Sequence, residues 1–109
     1  MSEITTHVLD TVFGKPAAGI AVRLETKQGD AWTVAGSSVT DADGRCRDLT
    51  DSVSAGAYRL IFDTAAYFQQ TSRESIYPEI AVIFSCDGKA HYHLPLLLSG
   101  NSYTTYRGS

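Results

Sequence analysis

The chain has 109 residues, of which 43% are hydrophobic and 19% charged, too apolar and too weakly charged for an intrinsically disordered segment. Nine Lys and Arg against twelve Asp and Glu leave a net charge of -3, without the basic excess that a nucleic-acid binder carries. No apolar run approaches the roughly 18 residues of a membrane span, and the start, Met1-Ser2-Glu3-Ile4-Thr5-Thr6-His7, lacks the basic and apolar regions of a secretory leader, so one soluble, cytoplasmic domain over residues 1–109 is expected.

Taken in chain order, the dominant period is two. A first strand is expected over 4–11, where Thr5-Thr6-His7-Val8-Leu9-Asp10 reads as half-buried, and Gly14-Lys15-Pro16 breaks it. Ile20, Val22 and Leu24 alternate with Ala21, Arg23 and Glu25 in a strand over 20–26. After Gln28-Gly29-Asp30 a third strand is expected over 32–38, and a fourth over 44–49 follows the Asp43-Gly44 turn pair. Tyr58, Leu60 and Phe62 mark a strand over 57–63. The next segment departs from the pattern. Helix-compatible residues follow Asp63 or Thr64, either of which can cap, and predict a short connecting helix over 65–71. Ile80, Val82 and Phe84 give a strand over 80–85, Asp87-Gly88 a turn, and two last strands are expected over 90–98 and 102–107. Eight short strands at this spacing mean an all-β sandwich or barrel. Pro95 lies inside the 90–98 strand, where it cannot donate to a ladder, so an irregularity or an outward-facing nitrogen is expected there.

Chemistry concentrates in few residues. His91 and His93 flank Tyr92 in a strand, so both imidazoles project from one face. If the first and seventh predicted strands are neighbours, His7 joins them. A lone strand histidine is most often a satisfied or solvent-facing residue, and three neutral imidazoles also suit an open zinc site. Arg45 follows the Asp43-Gly44 turn; it is either an exposed turn residue paired, like Arg47, with Asp41, Asp43, Asp48 or Asp51, or a fixed cationic fork for a carbonyl or anion. Cys46 and Cys86 lack disulfide-scaffold or metal spacing and are expected to be free thiols. The polar, aromatic, β-prone end Tyr103-Thr104-Thr105-Tyr106-Arg107-Gly108-Ser109 reaches the last residue without a cap.

The chain resembles the transthyretin-related family, in particular its 5-hydroxyisourate hydrolase branch. The resemblance runs through Thr6-His7-Val8-Leu9-Asp10, Gly14-Lys15-Pro16-Ala17, Thr40-Asp41-Ala42-Asp43-Gly44-Arg45 and Gly56-Ala57-Tyr58-Arg59-Leu60. It continues through Tyr67-Phe68, Tyr77-Pro78-Glu79-Ile80 and the run from His91-Tyr92-His93 to Ser99, and closes on Tyr106-Arg107-Gly108-Ser109. It implies a sandwich of two four-stranded sheets with one short helix, assembled as a homotetramer, a dimer of dimers with active sites at the dimer–dimer interface.

The resemblance also implies hydrolytic opening of the 5-hydroxyisourate ring, a product of urate oxidation, to 2-oxo-4-hydroxy-4-carboxy-5-ureidoimidazoline on the way to allantoin. The family's catalytic positions fall on His7, Arg45 and His93, and its terminal substrate-binding motif on Tyr106, Arg107, Gly108 and Ser109. His91 matches the first histidine of the motif. One imidazole would act as base and the other as acid or positioner, with His7 slightly favoured as base. Arg45 would hold the developing oxyanion. No cofactor or metal is expected, and neither a nucleic-acid nor a membrane partner. Ser99-Gly100-Asn101-Ser102 departs from the family's usual loop chemistry. Two rivals are a carrier of small aromatic ligands, whose family members carry lysine, glutamate and threonine where this chain has His7, Arg45 and His93, and a zinc hydrolase built on the three histidines.

Overall fold

In the computed structural model, which describes residues 1–109, the alternating segments pair into two sheets whose apolar faces meet. In chain order the elements are β1 (Ile4–Asp10), β2 (Lys15–Pro16), β3 (Ala21–Gln28), β4 (Ala31–Val39), β5 (Arg45–Cys46), β6 (Gly56–Phe62), α1 (Thr64–Gln70), β7 (Ile80–Cys86), β8 (Tyr92–Leu98) and β9 (Tyr103–Thr105). One sheet runs β4-β3-β6-β7 and is antiparallel throughout. The other runs β2-β1-β8-β9, with β5 also on β1. Because β2 pairs with Leu9 and Asp10 while β5 pairs with Thr6 and His7, the two short strands share one edge of β1. With these two short pieces counted as one edge, the sheet is four strands wide, as the expected sandwich requires.

Alternation decides what each sheet buries. Val22 and Leu24 of β3, Leu60 and Phe62 of β6, Ile80 of β7 and Leu96 and Leu98 of β8 all lie in one continuous core. Burying each such side chain stabilises the fold by roughly 1.5–3 kcal/mol before entropy is counted. In β1 the buried set is Ile4, Thr6, Val8 and Asp10, which leaves Thr5, His7 and Leu9 on the outer face.

Asp10 is a charged member of that inward set. Its carboxylate accepts hydrogen bonds from the Tyr67 hydroxyl at 2.6 Å, the Arg73 guanidinium at 2.5 Å, and the backbone N–H groups of Val12 and Phe13 at 3.1 Å. Burial raises its pKa, but the bonds from Arg73 and Tyr67 outweigh it and hold the carboxyl below its ordinary value. The Arg73 guanidinium also lies 4.2 Å from the Phe13 ring centroid. The network fastens α1 and the segment after it to the end of β1.

Three expectations change in detail. The predicted 44–49 strand contracts to Arg45–Cys46, because the chain then crosses to β4, where the Leu49 carbonyl packs on Gly36 so closely that a side-chain carbon there would sit 2.0 Å from it. The helix begins at Thr64, with Asp63 at the cap position but making no side-chain cap bond; the Thr64 hydroxyl donates instead to the Tyr77 carbonyl. The last strand stops at Thr105, and Pro95 explains it. Leu96 is opposite Thr105 and His93 is opposite Gly108, so the register is unbroken and Pro95 faces Tyr106. Gly108 N–H donates to the His93 carbonyl at 2.7 Å, which makes that a hydrogen-bonded pair. By alternation Pro95 and Tyr106 should form the next one, and Pro95 has no N–H to give. The ladder opens there and closes again at Gly108. Both cysteines are free, as expected, and the structure buries them; no helix is long and apolar enough to cross a membrane.

Candidate active site

The outer face of the β5-β1-β8 strip collects the reactive side chains. β1 and β8 run parallel with Thr5 opposite His93 and His7 opposite Pro95, while antiparallel β5 sets Arg45 opposite His7. Neighbours in register project to the same face, so His7, Arg45 and His93 share one surface with Thr5. The first and seventh predicted strands are neighbours, which was the condition for the three imidazoles to converge.

The turn before Arg45 is built for it. Asp41 Oδ1 accepts the backbone N–H of Asp43 at 2.9 Å and of Arg45 at 3.0 Å, and these bonds, Arg45's foremost, hold the Asp41 carboxyl below its ordinary range. Gly44 adopts φ +78°, and its carbonyl accepts the Val8 N–H at 2.8 Å. A side-chain carbon at Gly44 would lie 2.4 Å from the Val8 carbonyl oxygen and 3.3 Å from His7 Cδ2. Only glycine brings the turn this close to His7. Arg47 forms ion pairs with Asp41 at 3.0 Å and Asp43 at 3.4 Å, as surface arginines do; Arg45 pairs with none.

A pocket of about 470 Å³ opens over this face, lined by Thr5, Arg45, Cys46, Arg47, His91, His93 and Ser109. His93 is half-buried, and its Nδ1 lies 2.8 Å from the Thr5 hydroxyl. Burial first, then the Arg45 guanidinium and the His7 and His91 imidazoles, push its pKa below the ordinary imidazole value. His93 is thereby kept neutral near pH 7, with a lone pair available. His7 lies opposite Arg45 but is not among the residues lining the pocket, and its Nε2 is buried without a hydrogen-bond partner.

The terminal tetrapeptide divides. Gly108 is bonded to His93, and a side-chain carbon there would sit 2.9 Å from His93 Cδ2, so the bare glycine lets the chain end close over the ring. Ser109 lines the pocket. Tyr106 is exposed, and the Arg107 guanidinium lies 4.2 Å from the Tyr92 ring centroid, away from the pocket. The zinc rival finds no group of three or more His, Cys, Asp or Glu side chains arranged to hold a metal ion. Thr5 stands between two of the imidazoles. Sequence reasoning missed that residue, although its place two before His7 already put both side chains on one face.

The chain matches the HIUase/Transthyretin family over residues 4–108. It is 43% identical to a 5-hydroxyisourate hydrolase of Mus musculus over 113 aligned positions, covering 99% of this chain and 96% of that protein. Its structure resembles that of Klebsiella pneumoniae 5-hydroxyisourate hydrolase with a TM-score of 0.88 at 36% identity, all of both chains being covered. It resembles sea bream transthyretin, solved in complex with thyroxine, with a TM-score of 0.92 at 35% identity over 96% of this chain and 93% of that one. A profile spanning nearly every residue and relatives this similar along their whole length place the chain in the HIUase/transthyretin family.

Proposed function

We propose that the protein is a 5-hydroxyisourate hydrolase. Backbone likeness does not separate hydrolase from hormone carrier, since both kinds of relative superpose at least as well as 0.88. The observation that carries the reading is the side chains: a guanidinium without a carboxylate partner and an imidazole held neutral, facing one pocket.

Opening a cyclic acyl–nitrogen bond needs an activated water, a stabiliser for the carbonyl oxygen and a proton for the leaving nitrogen. His93 takes the water proton at Nε2, and the new hydroxide oxygen bonds to the ring carbonyl carbon. Arg45 offers its N–H groups to the resulting oxyanion. The carbon–nitrogen bond then breaks, and the proton held by His93 passes to the nitrogen, leaving a carboxylic acid that gives its proton to solvent and becomes a carboxylate. The Ser109 hydroxyl, on the pocket wall, orients water or substrate, while His7, opposite Arg45 and buried at Nε2, packs beside the site. What supports His93 over His7 as base is its lowered pKa and its position lining the pocket.

The same reading makes the chain a subunit of a homotetramer, a dimer of dimers whose sites lie between dimers. Support comes from the position of the pocket on an open sheet face, from the unpaired edges of β7 and β9, and from exposed Val12, Phe13, Tyr103 and Tyr106. The two buried free thiols support a cytoplasmic location.

Generating 5-hydroxyisourate with urate oxidase and following its ultraviolet decay tests the activity. Accelerated decay is expected; decay at the spontaneous rate would sink the assignment. Light scattering on the eluted protein tests the assembly, and a monomer at working concentration would remove it.

A further inference from the structure

His91 and His93 are joined by a single hydroxyl. Thr5 Oγ1 lies 2.8 Å from His91 Nε2 and 2.8 Å from His93 Nδ1, and it has no third partner in the protein. We propose that Thr5 is a positioning residue that links His93 to His91 in a proton relay, carrying charge from the half-buried ring to the exposed one. The proposal rests on the hydrolase reading and extends it to two residues with no assigned part.

The argument starts from counting. A threonine hydroxyl has one hydrogen to donate and two lone pairs to receive. The two imidazole nitrogens therefore cannot both accept from it. If both donated, the hydroxyl hydrogen would be left without a protein acceptor. With all three groups used, one ring donates and the other accepts, which locks the tautomers together. Either both rings carry their hydrogen on Nδ1 or both carry it on Nε2. For His93 to act as base through Nε2, its hydrogen must sit on Nδ1 and point at Thr5. The Thr5 hydroxyl then donates to His91 Nε2, and His91 keeps its own hydrogen on Nδ1.

The transfer balances along this line. The water O–H bond breaks and the proton joins His93 Nε2. The Nδ1 proton of His93 moves to Thr5 Oγ1 as the original Thr5 proton moves to His91 Nε2. His93 is again neutral, Thr5 is again a hydroxyl, and His91 is an imidazolium. Reversal of the same shifts returns a proton through His93 Nε2 to the leaving nitrogen. There is a physical reason for the detour. A cation on His93 would sit half-buried beside the unpaired Arg45 guanidinium, whereas His91 is exposed and its charge is hydrated. Thr5 also holds the His93 ring in orientation, so that Nε2 faces the substrate.

Two measurements test this. In protein labelled with nitrogen-15, two-bond nitrogen–proton correlation spectra above the titration range of the imidazoles should show His91 and His93 both protonated on Nδ1. In Thr5→Val the His91 ring should shift toward the Nε2–H form that a free histidine side chain prefers. Nε2–H at either ring in the wild type, or unchanged tautomers in Thr5→Val, would overturn the link. In the hydrolysis assay Thr5→Val should lower kcat by about tenfold or more with KM within about twofold, and Thr5→Ser, which keeps the hydroxyl, should recover most of the rate. His91→Ala should lower kcat similarly, and the double variant Thr5→Val/His91→Ala should be no slower than the slower single variant. Wild-type kcat in Thr5→Val, no recovery in Thr5→Ser, or losses that add in the double variant would overturn the relay. A wild type that leaves 5-hydroxyisourate decay unaccelerated would instead remove the hydrolase reading, and the spectra judge the Thr5 link independently of that result.

Discussion

Arg45 stands directly opposite His7 across the β1–β5 pair, and the two carboxylates of its own turn, Asp41 and Asp43, are engaged by Arg47 instead. A guanidinium fixed at its backbone and left unneutralised at its head is suited to an anion that is absent until substrate reacts. Arg45→Met should therefore lower kcat/KM by about 10²-fold or more while changing stability by no more than about 0.5 kcal/mol. Steady-state rates and thermal melts check both halves. A large stability loss would mean that the side chain serves the fold.

Gly44 is the backbone counterpart of that arrangement. Gly44→Ala introduces a side-chain carbon at φ +78° and 2.4 Å from the Val8 carbonyl, so β5 must lift from β1. A stability loss of about 1–3 kcal/mol is expected, together with loss of activity, because Arg45 moves off His7. Chemical denaturation and the hydrolysis assay report these separately. Wild-type activity in a folded Gly44→Ala protein would contradict the coupling.

The depressed pKa of His93 gives a titration test. Burial is the first cause and Arg45 the second, followed by His7 and His91. The base form should persist to lower pH than in an ordinary imidazole. Arg45→Met removes a repelling cation, so the His93 midpoint, followed by NMR, should move up. A downward movement would show that the guanidinium does not act on this ring.

Asp10 governs the acid limb of stability. Its folded pKa lies below the unfolded value, so its contribution is complete above the unfolded carboxylate range and disappears as pH falls through the folded pKa. Asp10→Asn leaves the Arg73 cation, only 17% exposed, without its charge partner, and should cost about 3–5 kcal/mol near pH 7. The gap between wild type and variant should narrow steadily on acidification. Tyr67, whose pKa is pushed up to about 12 by burial and then by its bond to Asp10, gives the companion test: Tyr67→Phe should cost about 1.5–3 kcal/mol, the worth of a hydrogen bond to a charged group. Denaturant midpoints from neutral to acidic pH measure both.

The chain end offers a simple perturbation. Gly108 is bonded to His93 and Ser109 lines the pocket, so residues appended after Ser109 would enter the site. A C-terminal tag should depress activity while leaving the melting temperature unchanged, and its proteolytic removal back to Ser109 should restore the rate. Equal rates with and without the tag would count against a substrate pocket at the terminus.

Much of the fold is local information. Ile20, Val22 and Leu24 announce a half-buried strand because alternation is a property of consecutive residues, and Asp43-Gly44 announces a turn because few other pairs accept that backbone. The same locality placed His91 and His93 on one face. The names of the catalytic candidates came from motif resemblance, which local physics alone does not supply.

What needed the tertiary structure is everything set by register between distant segments. β1 and β8 lie parallel with Thr5 opposite His93, residues 88 apart in the chain, and no local pattern distinguishes that pairing from a slip of two. The bond from Thr5 to both imidazoles follows from that alignment, the break at Pro95 from the β8–β9 register, and the absence of a carboxylate partner for Arg45 from the turn that gives Asp41 and Asp43 to Arg47. Alternation tells each side chain which face it occupies; only packing of the whole core decides what it meets there.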